Sequence, residues 1–348
     1  MSPALVEMPE GVDPVEFCYE QGWTDGLPVV PPTEDRVAAM LEAAGGEPDE
    51  VLCRVAPRWG EATRLKVAVN AVMAGCRPEY FPLLRAALRA LCDERFNLNG
   101  VQATTHVCAP LTIVNGPVAK RLGLNAGANV FGQGFRANAT IGRAIRLILT
   151  NIGGGVPGVL DKSTFGHPGK YTYCIAENED ASPWEPLHLE RGLSRDASAV
   201  TVFAAEAPHS VTNHISNDAY GILTSCADTM ATMGCNNAYV MGEFLVAIGP
   251  EHAAAIAADG WTKDDVRSFL YEHARQPMGK LRFHGRYGNI YNRHWPRWLD
   301  RTRDDEMVPV VRRPEDILLI VAGGSEGRFS VCVPGWGEFG SRSVTVAV

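Results

Sequence analysis

The stretch that decides the fold is residues 199–233, which read AVTVFAAEAPHSVTNHISNDAYGILTSCADTMATM. The first seven residues are almost entirely apolar, a pattern typical of a buried strand. Asn217 or Asp218 is placed to cap a following helix, in which Ile222 and Cys226 recur at helical spacing. A buried strand, a polar loop and a helix in succession predict an α/β fold, with a mixed sheet and flanking helices.

Composition limits the classes of protein to which this chain can belong. The 348 residues are 46% hydrophobic and 21% charged, and the net charge of -8 argues against nucleic acid or an anionic membrane as the main partner. No apolar run approaches the ~20 residues that span a bilayer, and the N-terminus lacks the pattern of a secretory signal. The nine cysteines form no C-x-x-C pair, so we expect reduced thiols and a cytoplasmic protein.

A strand followed by Gly-Pro and a helix occurs twice in the chain. The first copy is LTIVNGP at residues 111–117, and the second is FLVAIGP at residues 244–250. Proline is favoured in the first turn of a helix, so each copy predicts a strand that leads directly into a helix. We interpret the pair as a weak internal duplication. We expect two interleaved subdomains, an N-terminal arm with the first in residues 1–195 and the second in residues 196–348.

The most glycine-rich segment, residues 123–144, is a candidate anion site. We expect Asn138 to cap a helix there, and Arg136 and Arg143 add positive charge near its start. Backbone N–H groups at a helix start, together with arginines, hold carboxylates and phosphates. The segment is neither a P-loop nor a dinucleotide fingerprint, and a tight turn without a ligand is the alternative.

A second candidate site begins at the end of a predicted strand at residues 171–179. Alternation along this strand places Glu177 and Glu179 on one face at its carboxyl end. The long link to the strand that begins at Ala199 favours a parallel arrangement of the two strands. Both carboxylates would then lie near Glu206 and the histidines that follow it, whereas antiparallel strands would place the two groups at opposite ends.

Three histidines complete this second site: His209 and His214 after the Ala199 strand, and His106 before another strand. Histidine titrates near neutrality and, beside carboxylates, performs acid/base chemistry. The same groups bind divalent metals, so His209 and His214 are also candidate metal ligands, although their spacing matches no specific zinc signature. The alternative is that the histidines bond loop backbone and that the two glutamates end a solvated strand.

The segment 282–298, RFHGRYGNIYNRHWPRW, interleaves basic and aromatic residues. In an acidic protein this composition favours a subunit or interdomain contact over nucleic-acid binding, because Arg, Tyr and Trp dominate protein interfaces. We therefore expect a homo- or hetero-oligomer.

Four long motifs carry a resemblance to a known family: GWTDGLPVVPPT at 22–33, NAVMAGCRPEYFP at 70–82, GVQATTH at 100–106 and AENEDASPWEPLH at 176–188. Together they resemble a poorly characterised bacterial family whose members are often found alongside small proteins with a UGSC or CGSC selenocysteine or cysteine motif. This chain contains neither motif. The resemblance implies a separate thiol or selenol partner and reductive or lyase chemistry at a carbon–heteroatom bond, by analogy.

The sequence favours an enzyme that acts on a small, anionic metabolite. In this hypothesis a histidine acts as acid, base or ligand, a glutamate is its partner, and Arg136 or Arg143 anchors the substrate. A metal-dependent hydrolase or hydratase is the second hypothesis. The third is a non-catalytic subunit that docks a redox-active partner through residues 282–298.

Overall fold

The computed structural model describes residues 6–282, 296–337 and 340–348. Its helices, in chain order, are α1 (Pro14–Glu20), α2 (Glu34–Ala44), α3 (Arg64–Ala74), α4 (Phe81–Leu91), α5 (Leu98–Ala103), α6 (Pro117–Leu122), α7 (Arg136–Asn151), α8 (Leu187–Glu190), α9 (Ala219–Met230), α10 (Asn237–Val240), α11 (Pro250–Ala258), α12 (Lys263–His273) and α13 (Met278–Arg282). In this described part of the chain, no helix combines the length and the apolar character needed to cross a membrane.

The strands form two four-stranded sheets and two short hairpin-like pairs. In chain order they are β1 (Val51–Val55), β2 (Gly60–Thr63), β3 (Ala109–Asn115), β4 (Cys174–Ala176), β5 (Ala199–Ala205), β6 (His209–Thr212), β7 (Phe244–Ile248), β8 (Arg275–Pro277), β9 (Met307–Pro309), β10 (Ile317–Val321), β11 (Phe329–Pro334) and β12 (Val344–Ala347). The first sheet has the order β12-β5-β3-β4, and the second has the order β10-β7-β11-β6. Each contains one parallel pair, so the predicted α/β fold with mixed sheets and flanking helices is confirmed.

The two sheets pack face to face between two layers of helices. Side chains of β3 and β5 share one buried cluster with side chains of β7 and β10, which is the layer between the sheets. The other face of the first sheet packs against α2, α3, α4 and α7, and the other face of the second against α9, α11 and α12. Because both faces are covered, all residues of β3, β5 and β7 are buried, which explains their nearly continuous apolar sequences.

The stretch that opened the sequence argument folds largely as predicted. β5 is a fully buried strand, and the Asp218 side chain caps α9 by accepting a hydrogen bond from the Gly221 N–H at 2.7 Å. The polar segment between them is not simply a loop, because it contains β6, an edge strand that pairs with β11. The backbone from His209 to Thr212 is thus held by a strand far away in sequence.

The internal duplication predicted from the two Gly-Pro sites is matched by the topology. In the first sheet β3 pairs in parallel with β4 and antiparallel with β5. In the second sheet β7 pairs in parallel with β10 and antiparallel with β11. The next strand of each half crosses to the other sheet, so that β6 pairs with β11 and β12 pairs with β5. The two halves therefore share one chain path and exchange their last strands.

This exchange bears on the predicted division of the chain at residue 195. The first sheet draws β3 and β4 from one side of that division and β5 and β12 from the other. The ends of β5 and β11 also meet directly: Glu206 N donates to Pro334 O at 2.9 Å, and Trp336 N donates to Ala204 O at 3.1 Å. A border at residue 195 remains a prediction about domains, and the strand pairing does not follow it.

The glycine before each Gly-Pro helix gives a first testable prediction. A Cβ at Gly249 would lie 2.1 Å from the Phe329 carbonyl oxygen, and its φ of -67° is ordinary, so only the close approach requires glycine. We expect Gly249→Ala to lower the free energy of unfolding by about 1–3 kcal/mol through forced displacement of β11. Denaturant melts would measure this loss. Gly234→Ala is the control because a Cβ there meets nothing within 4 Å, and equal losses in both variants would refute the steric explanation.

Candidate functional site

The structure separates the two groups of residues that the sequence analysis placed in one site. β3 lies between β4 and β5, parallel to the first and antiparallel to the second, so β4 and β5 run in opposite directions. Glu177 and Glu179 follow β4 at one edge of the sheet, whereas Glu206 and His209 follow β5 at the opposite edge. The predicted parallel arrangement is therefore wrong. The long link at 177–198 stays at one edge of the sheet instead of crossing its face, and it passes against Gly116.

Glu177 and Glu179 belong to a buried polar cluster next to the end of β3. Glu177 Oε2 accepts hydrogen bonds from Asn115 Nδ2 at 2.6 Å and Leu187 N at 2.9 Å. Glu179 Oε1 accepts from Asn115 Nδ2 at 3.1 Å and Gly116 N at 2.6 Å. Burial raises the pKa of Glu177. These contacts tie the link 177–198 to the end of β3, which is a structural role.

His209 and His214 do not join Glu177 and Glu179. Both histidines are exposed, and the His214 ring packs edge-on against Phe329 with 4.8 Å between ring centroids. Within residues 6–282, 296–337 and 340–348, no group of three or more His, Cys, Asp and Glu side chains is placed to hold a metal ion. A metal site at His209 and His214 therefore has no third protein ligand from the residues described.

The predicted anion site at the start of α7 is not assembled as expected. α7 begins at Arg136 rather than after Asn138, and Arg136 donates from Nε and Nη2 to Gly75 O at 3.1 and 2.9 Å. Gly75 follows α3, whose carboxyl end carries partial negative charge that attracts the guanidinium. Asn138 is buried and bonds to the backbone of Asn125 and Cys174 instead of capping the helix.

Arg143 holds the N-terminal arm (residues 22–33) instead of a free anion. Its Nε and Nη2 atoms donate to both carboxylate oxygens of Asp25 at 2.9 and 2.8 Å, and Nη2 also donates to Leu27 O at 3.1 Å. Only 4% of the Asp25 side chain is exposed. Because this fork-to-fork pairing satisfies Arg143, the arm occupies the position that the sequence analysis assigned to a ligand.

His106, by contrast, is paired with a carboxylate as the acid/base hypothesis requires. Its Nε2 atom lies 2.9 Å from Glu206 Oε1, and its Nδ1 atom accepts a hydrogen bond from Cys108 N at 3.3 Å. The second contact assigns the ring proton to Nε2, which then donates to Glu206. About a fifth of each side chain is exposed, 20% for His106 and 19% for Glu206.

One oxygen of Glu206 is left available by its surroundings. Oε1 receives the His106 ring and, at 3.5 Å, the Asn236 N–H. Oε2 has no hydrogen-bond partner among the residues that the structure describes. The Glu206 backbone carbonyl accepts from the Tyr173 hydroxyl at 2.8 Å. The Glu206 carboxylate is therefore held in place through Oε1, while Oε2 is free to accept or donate a proton.

A cavity of about 720 Å³ lies between the arm, α7 and the loop at 155–171, and neither His106 nor Glu206 lines it. A site of this size accommodates a small organic molecule. The arm contributes Asp25, and α7 contributes Arg146. The long Gly- and Pro-rich loop that follows α7 supplies much of the remaining wall, as loops that carry binding sites commonly do.

Arg146 is the charged group at the base of this cavity. Only 9% of the residue is exposed; its Nε donates to Lys170 O at 2.7 Å, and Nη1 lies 3.5 Å from Gln102 Oε1. Nη2 makes no hydrogen bond within the described part of the chain. The neighbouring Lys170 Nζ is neutralised by both oxygens of Asp161, at 2.8 and 2.7 Å. Arg146 thus keeps one positive charge and one donor for a ligand.

The loop that borders the cavity is hydrogen-bonded to the segment that carries His106. Thr164 donates to Thr105 O through its backbone N at 3.0 Å and its hydroxyl at 3.3 Å, which joins the cavity loop to the residue before His106. His167 lines the cavity, and its ring packs edge-on against Tyr173 at 5.5 Å. Burial lowers the pKa of His167, so its ring adds no charge to this wall near neutral pH.

Cysteine chemistry is disfavoured beside this pair. All nine cysteines lie in the described residues and are free thiols. Cys108, which bonds His106 through its backbone, is buried, and burial raises the pKa of its thiol to about 12. Burial also raises the pKa of Cys235 to about 11. Neither provides much thiolate at neutral pH.

The sequence analysis found His106 and Glu206 but missed Arg146, Lys170 and Asp161. Arg146 lies three residues after Arg143 in α7, and nothing in the local sequence distinguishes the paired arginine from the unpaired one. The aromatic and basic segment 282–298 falls largely outside the described residues, so its predicted role as a contact surface is not addressed. No protein-family model and no curated protein matches this chain.

Proposed function

We propose that the protein is an enzyme that binds a small anionic metabolite in the cavity at Arg146, and that Glu206 and His106, which lie outside the cavity lining, perform acid/base chemistry on a part of the metabolite that extends beyond it. The observation that carries the proposal is a buried arginine with an unpaired Nη2 atom in the wall of a 720 Å³ cavity. Burial disfavours the charged form of Arg146, and Asp161 and Asp25 offset only part of this cost because neither forms an ion pair with it. An anionic ligand would remove that cost on binding.

The His106–Glu206 pair supports the catalytic part of this proposal. A carboxylate that is hydrogen-bonded at Oε1 and open at Oε2 is arranged as a general base, and the imidazole Nε2–H holds Oε1 in position. Removal of a proton next to a bound carboxylate is the first step of many eliminations. The proposed reaction class is therefore a lyase-type cleavage of a carbon–heteroatom bond.

The family resemblance extends this proposal to a partner. If the reaction requires a thiol or selenol, the buried, high-pKa Cys108 is a poor source, and a separate small protein would supply the group. We propose on the same basis that the enzyme acts in the cytoplasm, where thiols are kept reduced.

Replacement of Arg146 tests the binding part of the proposal. We expect Arg146→Met to weaken binding of acetate and inorganic phosphate by at least about 30-fold, the lower end of the loss when one partner of a buried charge pair is removed. Titration calorimetry on the wild type and the variant would measure this change.

Arg136→Met is the matched control for this experiment. Arg136 also donates to a backbone carbonyl, that of Gly75, but it does not line the cavity. We expect this variant to bind both anions as the wild type does. If Arg146→Met and Arg136→Met both bound the anions as tightly as the wild type, the assignment of the anion site to Arg146 would be refuted.

A further inference from the structure

The cavity is apolar at its mouth and charged at its base. Phe165 lines the cavity and is 89% exposed, Tyr171 is 49% exposed, and Val156 is 36% exposed. A single exposed apolar side chain is ordinary on a protein surface, whereas several that border one cavity form an apolar patch of the kind found at binding sites. Here all three border one cavity whose base holds Arg146.

The charges of the side chains around the cavity are best balanced by a ligand that carries one negative charge. Asp161 is neutralised by Lys170, and Asp25 is neutralised by Arg143. Among the described residues that line the cavity, Arg146 is the cation that forms no ion pair, although Asp161 and Asp25 lie near enough to act on its charge. A singly charged acid would balance it, whereas a doubly charged phosphate ester would bring an excess negative charge close to Asp161.

The volume of the cavity sets the size of the ligand. A carboxylate group fills only a small part of 720 Å³, and cavities of about 300–1,000 Å³ hold drug-sized molecules. The remaining space lies between Val156, Phe165 and Tyr171, so the rest of the ligand contacts apolar surface. Gly155 belongs to the same wall, and a Cβ at this position would come within 2.5 Å of Gln102 Nε2, so the end of the Gln102 side chain would have to shift.

We infer that the ligand of this cavity is a monocarboxylic acid with an apolar alkyl or aryl body, bound with its carboxylate at Arg146 and its body against Phe165. This inference rests on the proposed function and narrows its substrate class. According to this inference, the affinity of the protein for its ligand depends on the apolar body of the ligand as well as on its charge. The aromatic side chain at the mouth thereby selects against small polar acids.

A series of straight-chain acids from acetate to octanoate, titrated calorimetrically at neutral pH, tests the inference. We expect the dissociation constant to fall by up to roughly fourfold for each added methylene while the chain remains inside the cavity. Phe165→Ala should flatten this dependence and leave acetate binding unchanged. Ile215→Ala is the control, because Ile215 is equally exposed at 88% and does not line the cavity.

The outcomes separate this inference from the proposed function. If Arg146→Met loses acetate binding but the wild type binds longer acids no more tightly than acetate, the apolar-body inference is overturned and the anion site at Arg146 is retained. The absence of binding for every acid in the wild type would overturn both. A doubly ionised alkyl phosphate that binds more tightly than the carboxylate of the same chain length would overturn the assignment of a singly charged ligand.

Discussion

Glu206→Gln is expected to reduce turnover of any acid that the wild-type enzyme converts by about 100- to 10,000-fold, the usual contribution of a general base. The amide keeps the shape of the side chain and still accepts the His106 Nε2–H bond, but it cannot take a proton. Binding at Arg146 should be unaffected, because Glu206 does not line the cavity. The measurement is product formation followed by NMR with a panel of monocarboxylic acids, alongside titration of the same acids.

Glu179→Gln is the matched control for Glu206→Gln. Glu179 lies at the opposite edge of the first sheet, where it accepts hydrogen bonds from Gly116 N and Asn115 Nδ2, and a glutamine oxygen can accept the same bonds. We expect turnover close to that of the wild type. If Glu179→Gln abolished turnover and Glu206→Gln did not, the catalytic site would lie where the sequence analysis first placed it, after β4.

Lys263→Met is expected to lower the free energy of unfolding by about 3–5 kcal/mol, because it leaves a buried carboxylate without its cation. The Glu177 side chain is 0% exposed and that of Lys263 is 7% exposed, with 3.9 Å between Glu177 Oε1 and Lys263 Nζ. Lys263 is the first residue of α12, whereas Glu177 follows β4, so this contact links the two halves of the chain. Denaturant unfolding followed by circular dichroism would measure the loss.

The stability lost in Lys263→Met should increase as the pH rises. Burial raises the pKa of Glu177 above its ordinary value of 4.5, so the folded protein retains a proton on Glu177 to higher pH than the unfolded chain does. The stability that this proton contributes is present below pH 4.5 and is lost as the pH rises through the folded-state pKa. Removing Lys263 should therefore cost least in acid and most at neutral and alkaline pH.

Two further variants check this interpretation. Lys120→Met removes a close ion pair, 2.6 Å from Asp180, in which the side chains are 71% and 73% exposed; we expect little change, as for most surface pairs. Adding Glu177→Gln to Lys263→Met should restore part of the lost stability by removing the unpaired buried charge. A loss in Lys263→Met that is independent of pH and not recovered in the double variant would show that the damage is only to packing.

Local sequence patterns predicted several elements and some of their ends, although they misplaced the start of α7 and missed β6. The apolar run of β5, the Asp218 cap of α9 and the repeated Gly-Pro helix starts each depend on residues within a few positions of one another, and the structure confirms them. Thr262 likewise caps α12 with a complete capping box. Propensity, capping and burial periodicity are short-range effects, so a single sequence expresses them directly.

The candidate site was only partly accessible from the sequence. His106 and Glu206 were both noticed as chemically suitable residues, but their contact spans 100 positions in the chain. The sequence pointed to Arg136 and Arg143 of α7 but not to Arg146. The roles of the three follow from partners elsewhere: Gly75 O for Arg136, Asp25 for Arg143 and, for Arg146, the open cavity. Whether a side chain serves as a structural anchor or remains free to bind a ligand depends on which groups the fold places within hydrogen-bond distance of it.

The α/β class and the duplicated strand–Gly-Pro–helix unit therefore followed from the sequence, whereas of the acid/base candidates that it suggested, His106 and Glu206 are the pair that the structure brings together. Only the tertiary structure decided the strand order, in which β3 separates β4 from β5, and the exchange of β6 and β12 between the sheets. The physical reason is that β3, β5 and β7 are buried and apolar along their whole length, so their sequences specify burial but not their partners. Pairing is chosen by the packing of the whole chain, and that choice placed Glu206 beside His106 and Arg146 in the cavity wall.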